Sequence, residues 1–280
     1  MHPVLTHIGS WPITWFGIMM VAGFLAGYAN WLWLGRKEGR DSNMISDLLF
    51  WTMVAGVAGA RIAYVVSDWA YFREQPLRAF RVYEGGLIYY GGVGGALLAV
   101  LFYAAVRRER LLNFLDFVVT SLPLGHAFGR VGCFLNGCCF GKPTCCATGV
   151  RFPYGSLPWL SQRELGLIGD ADSRTQPVHP VQLYESISNL LIYVLLVFLY
   201  RRRRNEGSVL AAYLLTYPAV RFVLEFLRGD ERCSVSQMPG LNVAQLVSLC
   251  MLACGAILVL HCAFARPGNG ADAGGAAAQK

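Results

Sequence analysis

Apolar residues run along this chain in long blocks, and polar residues gather in the short segments between them. Seven blocks, at 13–34, 45–66, 85–106, 111–129, 181–200, 209–226 and 241–265, come near the length an α-helix needs to cross a hydrocarbon layer of roughly 30 Å. The pattern predicts an all-α polytopic protein with seven transmembrane helices. Residues 1–11 carry no Lys or Arg, so the basic n-region of a cleaved signal peptide is missing, and the first block reads as a retained helix.

Composition agrees with this reading: 55% of the 280 residues are apolar and 15% charged, too hydrophobic a balance for a soluble domain of this size. Charge then orients the chain. Lys and Arg cluster in alternate segments, at Arg36, Lys37 and Arg40, at Arg107, Arg108 and Arg110, at Arg201 to Arg204, and at Arg266 and Lys280, twelve against nine on the other side. By the positive-inside rule the twelve are cytoplasmic, which puts the N-terminus outside and the C-terminus in the cytoplasm. These basic residues abut helix ends, so the net charge of +7 reads as anchoring to anionic membrane lipids, and no nucleic-acid partner is expected. Residues 1–266 form a single transmembrane domain in this reading, and the Gly- and Ala-rich 267–280 a disordered tail.

A charge near the bilayer centre costs about 2.5–3.5 kcal/mol on insertion scales, so ionisable groups inside the blocks mark candidate sites. Arg61, Asp116, Glu185, Arg221 and Glu225 lie there, with Arg130 at a block's end. Structural pairing or snorkelling is the alternative for Arg61 and Asp116. In RFVLEFLR, Arg221, Glu225 and Arg228 fall at i, i+4 and i+7, so one helix face reads plus, minus, plus. One arginine satisfies the glutamate; two leave a charge for an anionic ligand such as phosphate, whose oxygens a guanidinium matches as a fork.

Six glycines fall between Gly85 and Gly95 in EGGLIYYGGVGGALL. They serve either close helix packing or a broken helix whose backbone approaches a ligand, with Tyr89 and Tyr90 projecting from it. In HPVQLYES, which starts at His179, Pro180 suits a first helical turn. Gln182 and Glu185 lie three apart on that turn, and either cap the helix or fix a neighbour or a headgroup.

Nine cysteines are present, five of them between Cys133 and Cys146 on the predicted outer side. The pairs Cys138-Cys139 and Cys145-Cys146 offer four zinc ligands, but at a spacing that matches no common ribbon. An oxidising exterior favours disulfides instead, with free or catalytic thiols as the remaining options. Cys250, Cys254 and Cys262 read as apolar filler of the last helix. Neither a metal nor a cofactor is expected.

In order along the chain, WFGIMM from Trp15, GARIAYV, GGLIYYGG, GRVGCFLNG, HPVQLYE, RFVLEFLR and VAQLVS from Val243 resemble the prolipoprotein diacylglyceryl transferases of bacterial plasma membranes. The resemblance covers nearly the whole chain. It implies a seven-helix enzyme that moves the diacylglyceryl group of phosphatidylglycerol onto the lipobox cysteine thiol of prolipoprotein signal peptides, releasing glycerol phosphate, at the outer leaflet of the inner membrane. It also implies roles for residues. Arg130 and Arg221 match the family's key arginines and would hold the phosphate as charge develops on the leaving group. Asn136, Gly137 and Arg228 complete the phospholipid pocket, and Tyr90 and Glu225 join Arg221 in the catalytic set. Arg61, Asp116, His179, Gln182, Tyr184, Glu185 and Tyr217 are retained supporting positions.

This chain departs from the usual pattern where the acceptor thiol must lose its proton, thiolate being the nucleophile. The histidine usual between the two glycine pairs is Tyr90 here, and a tyrosine, with an ordinary pKa of about 10, is a poorer base near neutral pH. In a signature that usually reads G-R-x-G-N-F-x-N-G-E, Cys133 replaces the first Asn and Cys138 the Glu, while Thr14 and Phe16 stand where histidine and tyrosine are commoner. The likeness is to a branch of the family with both the tyrosine and the GCC run. The same departures suggest a second class of function, an altered relative that keeps the phospholipid pocket as a membrane scaffold. A retinal photoreceptor would need a lysine in the last helix, and the only lysines are Lys37, Lys142 and Lys280. No inverted repeat supports a transporter.

Overall fold

A computed structural model describes residues 4–9, 11–203, 205–229 and 242–264. The 267–280 tail, positions 241 and 265 at the ends of the last block, and the charges of Arg204, Arg232, Arg266 and Lys280 lie outside the described residues. Among the described residues seven helical spans are long and apolar enough to cross a membrane. They are α1 (Trp15–Lys37), α2 (Ser42–Ser67), α4 (Tyr89–Arg107), the joined pair α5 (Leu111–Val119) and α6 (Leu122–Asn136), α8 (Val181–Arg202), α9 (Ser208–Glu225) and α10 (Val243–Phe264). The protein is a multi-pass membrane protein. Phe50 and Val57 on α2, Phe102 on α4, Leu191 on α8 and Ile257 on α10 are exposed, an arrangement that hydrocarbon tolerates because lipid tails are as apolar as these side chains.

The expected all-α architecture holds with small additions. Strands β1 (Val4–Ile8) and β2 (Trp11–Thr14) pair antiparallel before α1. The first helix therefore starts at Trp15 rather than at Ile13, which pairs with Thr6. Two short helices, α3 (Trp69–Glu74) and α7 (Leu157–Glu164), lie between spans. The fourth apolar block extends past Gly129 to Asn136 and is broken near Thr120 and Ser121, just before Pro123 opens α6.

The chain divides into two compact units, residues 28–115 and residues 1–27 with 116–280. In the first, α2 packs along α4 through glycines. A Cβ on Gly59 would lie 2.9 Å from the Cα of Gly95, so the two backbones touch and neither position has room for a side chain. The helix itself starts at Tyr89, later than the apolar block, and Gly85 and Gly86 precede it with φ of 85° and 72°. Their carbonyls meet Arg61, whose Nη1 donates to Gly85 O at 2.5 Å, Nε to Ala79 O at 2.9 Å and Nη2 to Arg78 O at 2.6 Å. Tyr64 and Phe72 flank the guanidinium. Arg61 is thus a structural residue that ties 78–86 to α2, and the glycine run divides between helix packing and a loop.

In the second unit α6 is bracketed by the start of α1 and by α8. Gly23 faces Gly125, and Gly132 faces Phe16 and Met19. Ser121 Oγ donates to Gly27 O at 2.9 Å, and Ser186 Oγ of α8 donates to Ala127 O at 3.0 Å. Helix α9 lies against both α8 and α10. Its start is held by fully buried Asp116, which accepts from the N–H groups of Gly207 and Leu210, each at 2.8 Å, with Arg203 Nη1 at 3.5 Å. A carboxylate on the free N–H groups of a helix start is favoured by both hydrogen bonding and the helix dipole. These contacts are of the structural kind weighed for Asp116.

Segment 137–180 is folded rather than loose. Isolated antiparallel bridges join Pro143 and Val150 to Val178, and Pro153 to Arg174. Phe140, Phe152 and Val178 form a small core with Phe134 and Val150 packed against it. Trp159 of α7, almost fully buried, donates Nε1–H to Asp172 O at 2.8 Å.

Candidate active site

The site is set by how α6 ends. Asn136 is its last residue, and Gly137 takes the left-handed conformation, φ 75°, that a helix terminus of this kind requires. Gly137 N donates to Phe134 O and Cys138 N to Cys133 O, both at 3.1 Å, the paired bonds of a Schellman cap. The cap turns the chain back on its own last turn and brings Cys138 beside Cys133.

Nearly two turns inside α6, Arg130 donates Nε–H to His126 Nε2 at 3.1 Å, and its Nη2 lies 3.1 Å from Glu185 Oε1 of α8. The same Nε2 lies 3.4 Å from Glu185 Oε1, so imidazole, guanidinium and carboxylate meet at one point. Glu185 is 1% exposed, and its backbone carbonyl accepts from Asn189 Nδ2 at 2.7 Å. The His126 ring lies 5.3 Å from that of Tyr217 on α9, which stacks on Tyr213.

On α9, Arg221 Nη1 donates to Glu225 Oε2, as the i, i+4 spacing predicts. Arg228 Nε lies 3.9 Å from the same oxygen, and Asn242 Nδ2, at the entry to α10, donates to Glu225 Oε1 at 3.2 Å. Only Arg221 and Glu225 lie on the helix; Arg228 falls past its end, in the bridge to Gly141, and reaches Glu225 from there. The two groups of charges come near one another, since His126, bonded to Arg130, packs on Tyr217, one turn before Arg221 on α9.

The start of α8 and the end of α9 fasten the loop after α6. Gln182, fully buried, donates Nε2–H to Cys138 O at 2.8 Å, and α8 has no side-chain cap, so Gln182 fixes a neighbour rather than capping the helix. Gly141 N donates to His179 O at 3.1 Å, Lys142 N to Leu227 O at 2.8 Å and Gly229 N to Phe140 O at 3.1 Å. Tyr184 OH and Thr148 Oγ1 are 2.7 Å apart, and the Tyr184 ring stands 6.2 Å from that of His179.

The five cysteines of 133–146 are free thiols, so the expected cross-links are not formed. Nor do Cys145 and Cys146, both exposed, join Cys138 and Cys139. Cys133 joins them instead, and the three sulfurs lie within 4.8 Å of one another. Hydrogen bonds with the Cys133 and Cys138 thiols hold the Cys139 thiol well below the ordinary thiol range, and Arg228 and Arg130 add to the effect.

The structure thus brings together Arg130, Asn136, Gly137, Gln182, Glu185, Tyr217, Arg221, Glu225 and Arg228, and sets His179 and Tyr184 beside the loop. Asp116 stands apart, at the far end of α9, on the order of 20 Å from Arg221 by helix rise. Arg61 and Tyr90 belong to the other unit, Tyr90 half exposed on the first turn of α4 with its ring 5.7 Å from that of Tyr89. Sequence reasoning missed His126, Asn189, Asn242 and the part played by Cys139. His126 was within reach, because it sits four residues before Arg130 on one helix face.

A family model described as Prolipoprotein diacylglyceryl transferase matches residues 3–261. The chain is 33% identical over 282 residues to the phosphatidylglycerol–prolipoprotein diacylglyceryl transferase of Cupriavidus metallidurans, covering 97% of this chain and 96% of that protein. It is 33% identical over 265 residues to the protein of the same name from Nostoc sp., covering 90% and 86%, and 32% identical over 266 residues to that of Idiomarina loihiensis, covering 92% of each.

Proposed function

Because this chain belongs to the prolipoprotein diacylglyceryl transferase family, we propose that it transfers the diacylglyceryl group of phosphatidylglycerol to the lipobox cysteine thiol of prolipoprotein signal peptides. Residues 1–266 are the transferase domain, set in the bacterial inner membrane with the N-terminus outside, the C-terminus cytoplasmic and the site toward the outer leaflet. The observation that carries the reading is that His126, bonded to Arg130, packs on Tyr217 one turn before Arg221, each arginine paired with one buried carboxylate.

A guanidinium has five N–H donors, and each carboxylate engages only part of that set. The remaining donors suit the two free oxygens of a phosphodiester. When the acceptor sulfur attacks the glycerol carbon, the carbon–oxygen bond breaks and its electron pair stays on the phosphate oxygen, so glycerol phosphate leaves with an added charge. Arginines already fixed by Glu185 and Glu225 meet that charge without reorganising, which lowers the barrier rather than merely binding substrate. Asn136, Gly137 and Arg228 complete the phospholipid pocket. The Tyr90 hydroxyl relays the acceptor thiol's proton, a role that rests on its match to the family's usual histidine position.

The test is direct. Purified protein in detergent is mixed with phosphatidylglycerol and a lipobox peptide, and the peptide mass is followed. Gain of one diacylglyceryl group on cysteine, absent when serine replaces it, is the expected result. Failure of the wild-type protein to modify the peptide, together with failure to support a strain depleted of its own transferase, would leave the phospholipid-binding scaffold.

A further inference from the structure

The three thiols at the end of α6 have the arrangement of a ligand set. Around a tetrahedral ion with metal–sulfur bonds of about 2.3 Å, sulfurs stand roughly 3.8 Å apart. The sulfurs of Cys133, Cys138 and Cys139 lie within 4.8 Å of one another, so closing on one ion takes a contraction of about 1 Å or less. A disulfide needs an S–S distance of about 2.0 Å and would use only two of the three.

The fold also holds the set in place. The Schellman cap fixes Cys133 against Cys138, and Cys139 sits in the left-handed region at φ 61°, a conformation that costs a non-glycine residue on the order of 1 kcal/mol. Such a residue stays there only when its surroundings enforce it. Here Gln182 holds the Cys138 carbonyl on one side, and Gly229 holds the carbonyl of buried Phe140 on the other. The Cys138 sulfur also lies 3.7 Å from Cys133 O, which keeps the two side chains on one side of the cap.

We propose that Cys133, Cys138 and Cys139 form a three-thiolate site for a soft divalent ion of the zinc type, whose fourth position takes the acceptor cysteine of the peptide as thiolate. The second half rests on the transferase reading above. Three protein ligands with one open position is the pattern of catalytic zinc, whereas structural sites are closed by four. Three thiolates on a divalent ion carry one net negative charge, and Arg130 and Arg228 both lie within electrostatic reach of Cys139 to balance it. A thiol that coordinates such an ion is deprotonated outright. The thiol's proton passes to water, and the bound sulfur attacks the glycerol carbon as the carbon–oxygen bond to phosphate breaks. The ion is neither oxidised nor reduced. A chain that lacks the family's usual histidine base gains from this, because a metal-bound thiol needs no strong base.

The experiment uses the full chain in detergent, purified without chelator, and first counts zinc by elemental mass spectrometry. About one zinc per chain is expected, falling at least tenfold in C133S, C138S and C139S and persisting in the C145S/C146S double variant. Cobalt exchanged into the wild-type protein guards against variants that merely misfold. It should give thiolate-to-metal absorption that changes when a lipobox cysteine peptide is added and not when serine replaces cysteine. Wild-type protein without zinc or cobalt uptake, or with a disulfide among these three residues on non-reducing mass mapping, overturns the site. An unchanged cobalt spectrum with the cysteine peptide, or full transfer by metal-stripped protein, overturns the fourth-ligand role while the transferase reading stands. Metal uptake and a peptide-dependent spectrum without any transfer would support the site and remove the transferase reading.

Discussion

Arg130 and His126 are joined by a 3.1 Å hydrogen bond from Nε to Nε2 across one turn of α6, in a segment half of which is buried inside the protein. Their bond fixes the guanidinium plane before any phosphate arrives. His126→Phe keeps the ring and removes the acceptor, leaving a buried donor unpaired at a cost of about 1–3 kcal/mol, so kcat/KM should fall about tenfold or more. His126→Gln, whose amide oxygen accepts from Arg130, should recover most of it. Peptide-modification kinetics with thermal denaturation as a control check this; equal losses in both variants would mean that the acceptor does not matter.

Arg130→Ala and Arg221→Ala should each lower transfer by at least about 10²–10³-fold, the range seen when one fixed donor to a developing oxyanion is removed. Lysine at either position should recover only part of the rate, because a point charge does not fork onto two oxygens. Full activity in either alanine variant would remove the clamp from the mechanism.

Tyr90→Phe removes only the hydroxyl and should reduce kcat about 10²–10⁴-fold, the usual worth of a positioned proton carrier. Tyr90→His should keep or raise the rate. A phenylalanine variant with wild-type kinetics would send the proton elsewhere, and Glu225 becomes the next candidate.

Asp116→Ala takes both carboxylate oxygens from the start of α9 and leaves the buried N–H groups of Gly207 and Leu210 unpaired. The loss should be about 2–3 kcal/mol of stability. Since the residue stands at the opposite end of α9 from Arg221, the protein that remains folded should keep its kcat. Melting curves and active-fraction kinetics separate the two effects.

Gly59→Val and Gly95→Val drive a side chain into the facing helix backbone and should cost about 1–3 kcal/mol or prevent folding. Gly94→Val is the control, since a Cβ there meets nothing within 4 Å. Yield and melting temperature in detergent give the comparison.

The seven spans were readable because lipid forces each to be a continuous apolar run, and the arginine–glutamate face of α9 because helical spacing alone places those side chains together. What escaped depended on distant chain. Asp116 read as either a site charge or a structural pair, and its partners are backbone groups beyond Arg203, which no local pattern announces. His126 gains its meaning only when Tyr217 of α9 arrives beside it. The adjacent cysteine pairs invited grouping by sequence, whereas the helix cap reverses the chain and substitutes Cys133 for the second pair. Proton handling is the least legible part, because Tyr90 departs from the family pattern and stands between Tyr89 and a run of glycines.

The bridge between Gly141 and Arg228 has a consequence for biosynthesis. A ribosome delivers α6 and its loop long before it delivers the end of α9, so the nascent chain enters the bilayer with the loop's outer fastening still unmade. The bonds from Lys142 to Leu227 and from Gly229 to Phe140 form only once some fifty further residues have been inserted. A chain cut short before Arg228 therefore carries Arg130 and its thiols but no closed pocket. The loop's fastening is thus completed by the last part of α9 to be made.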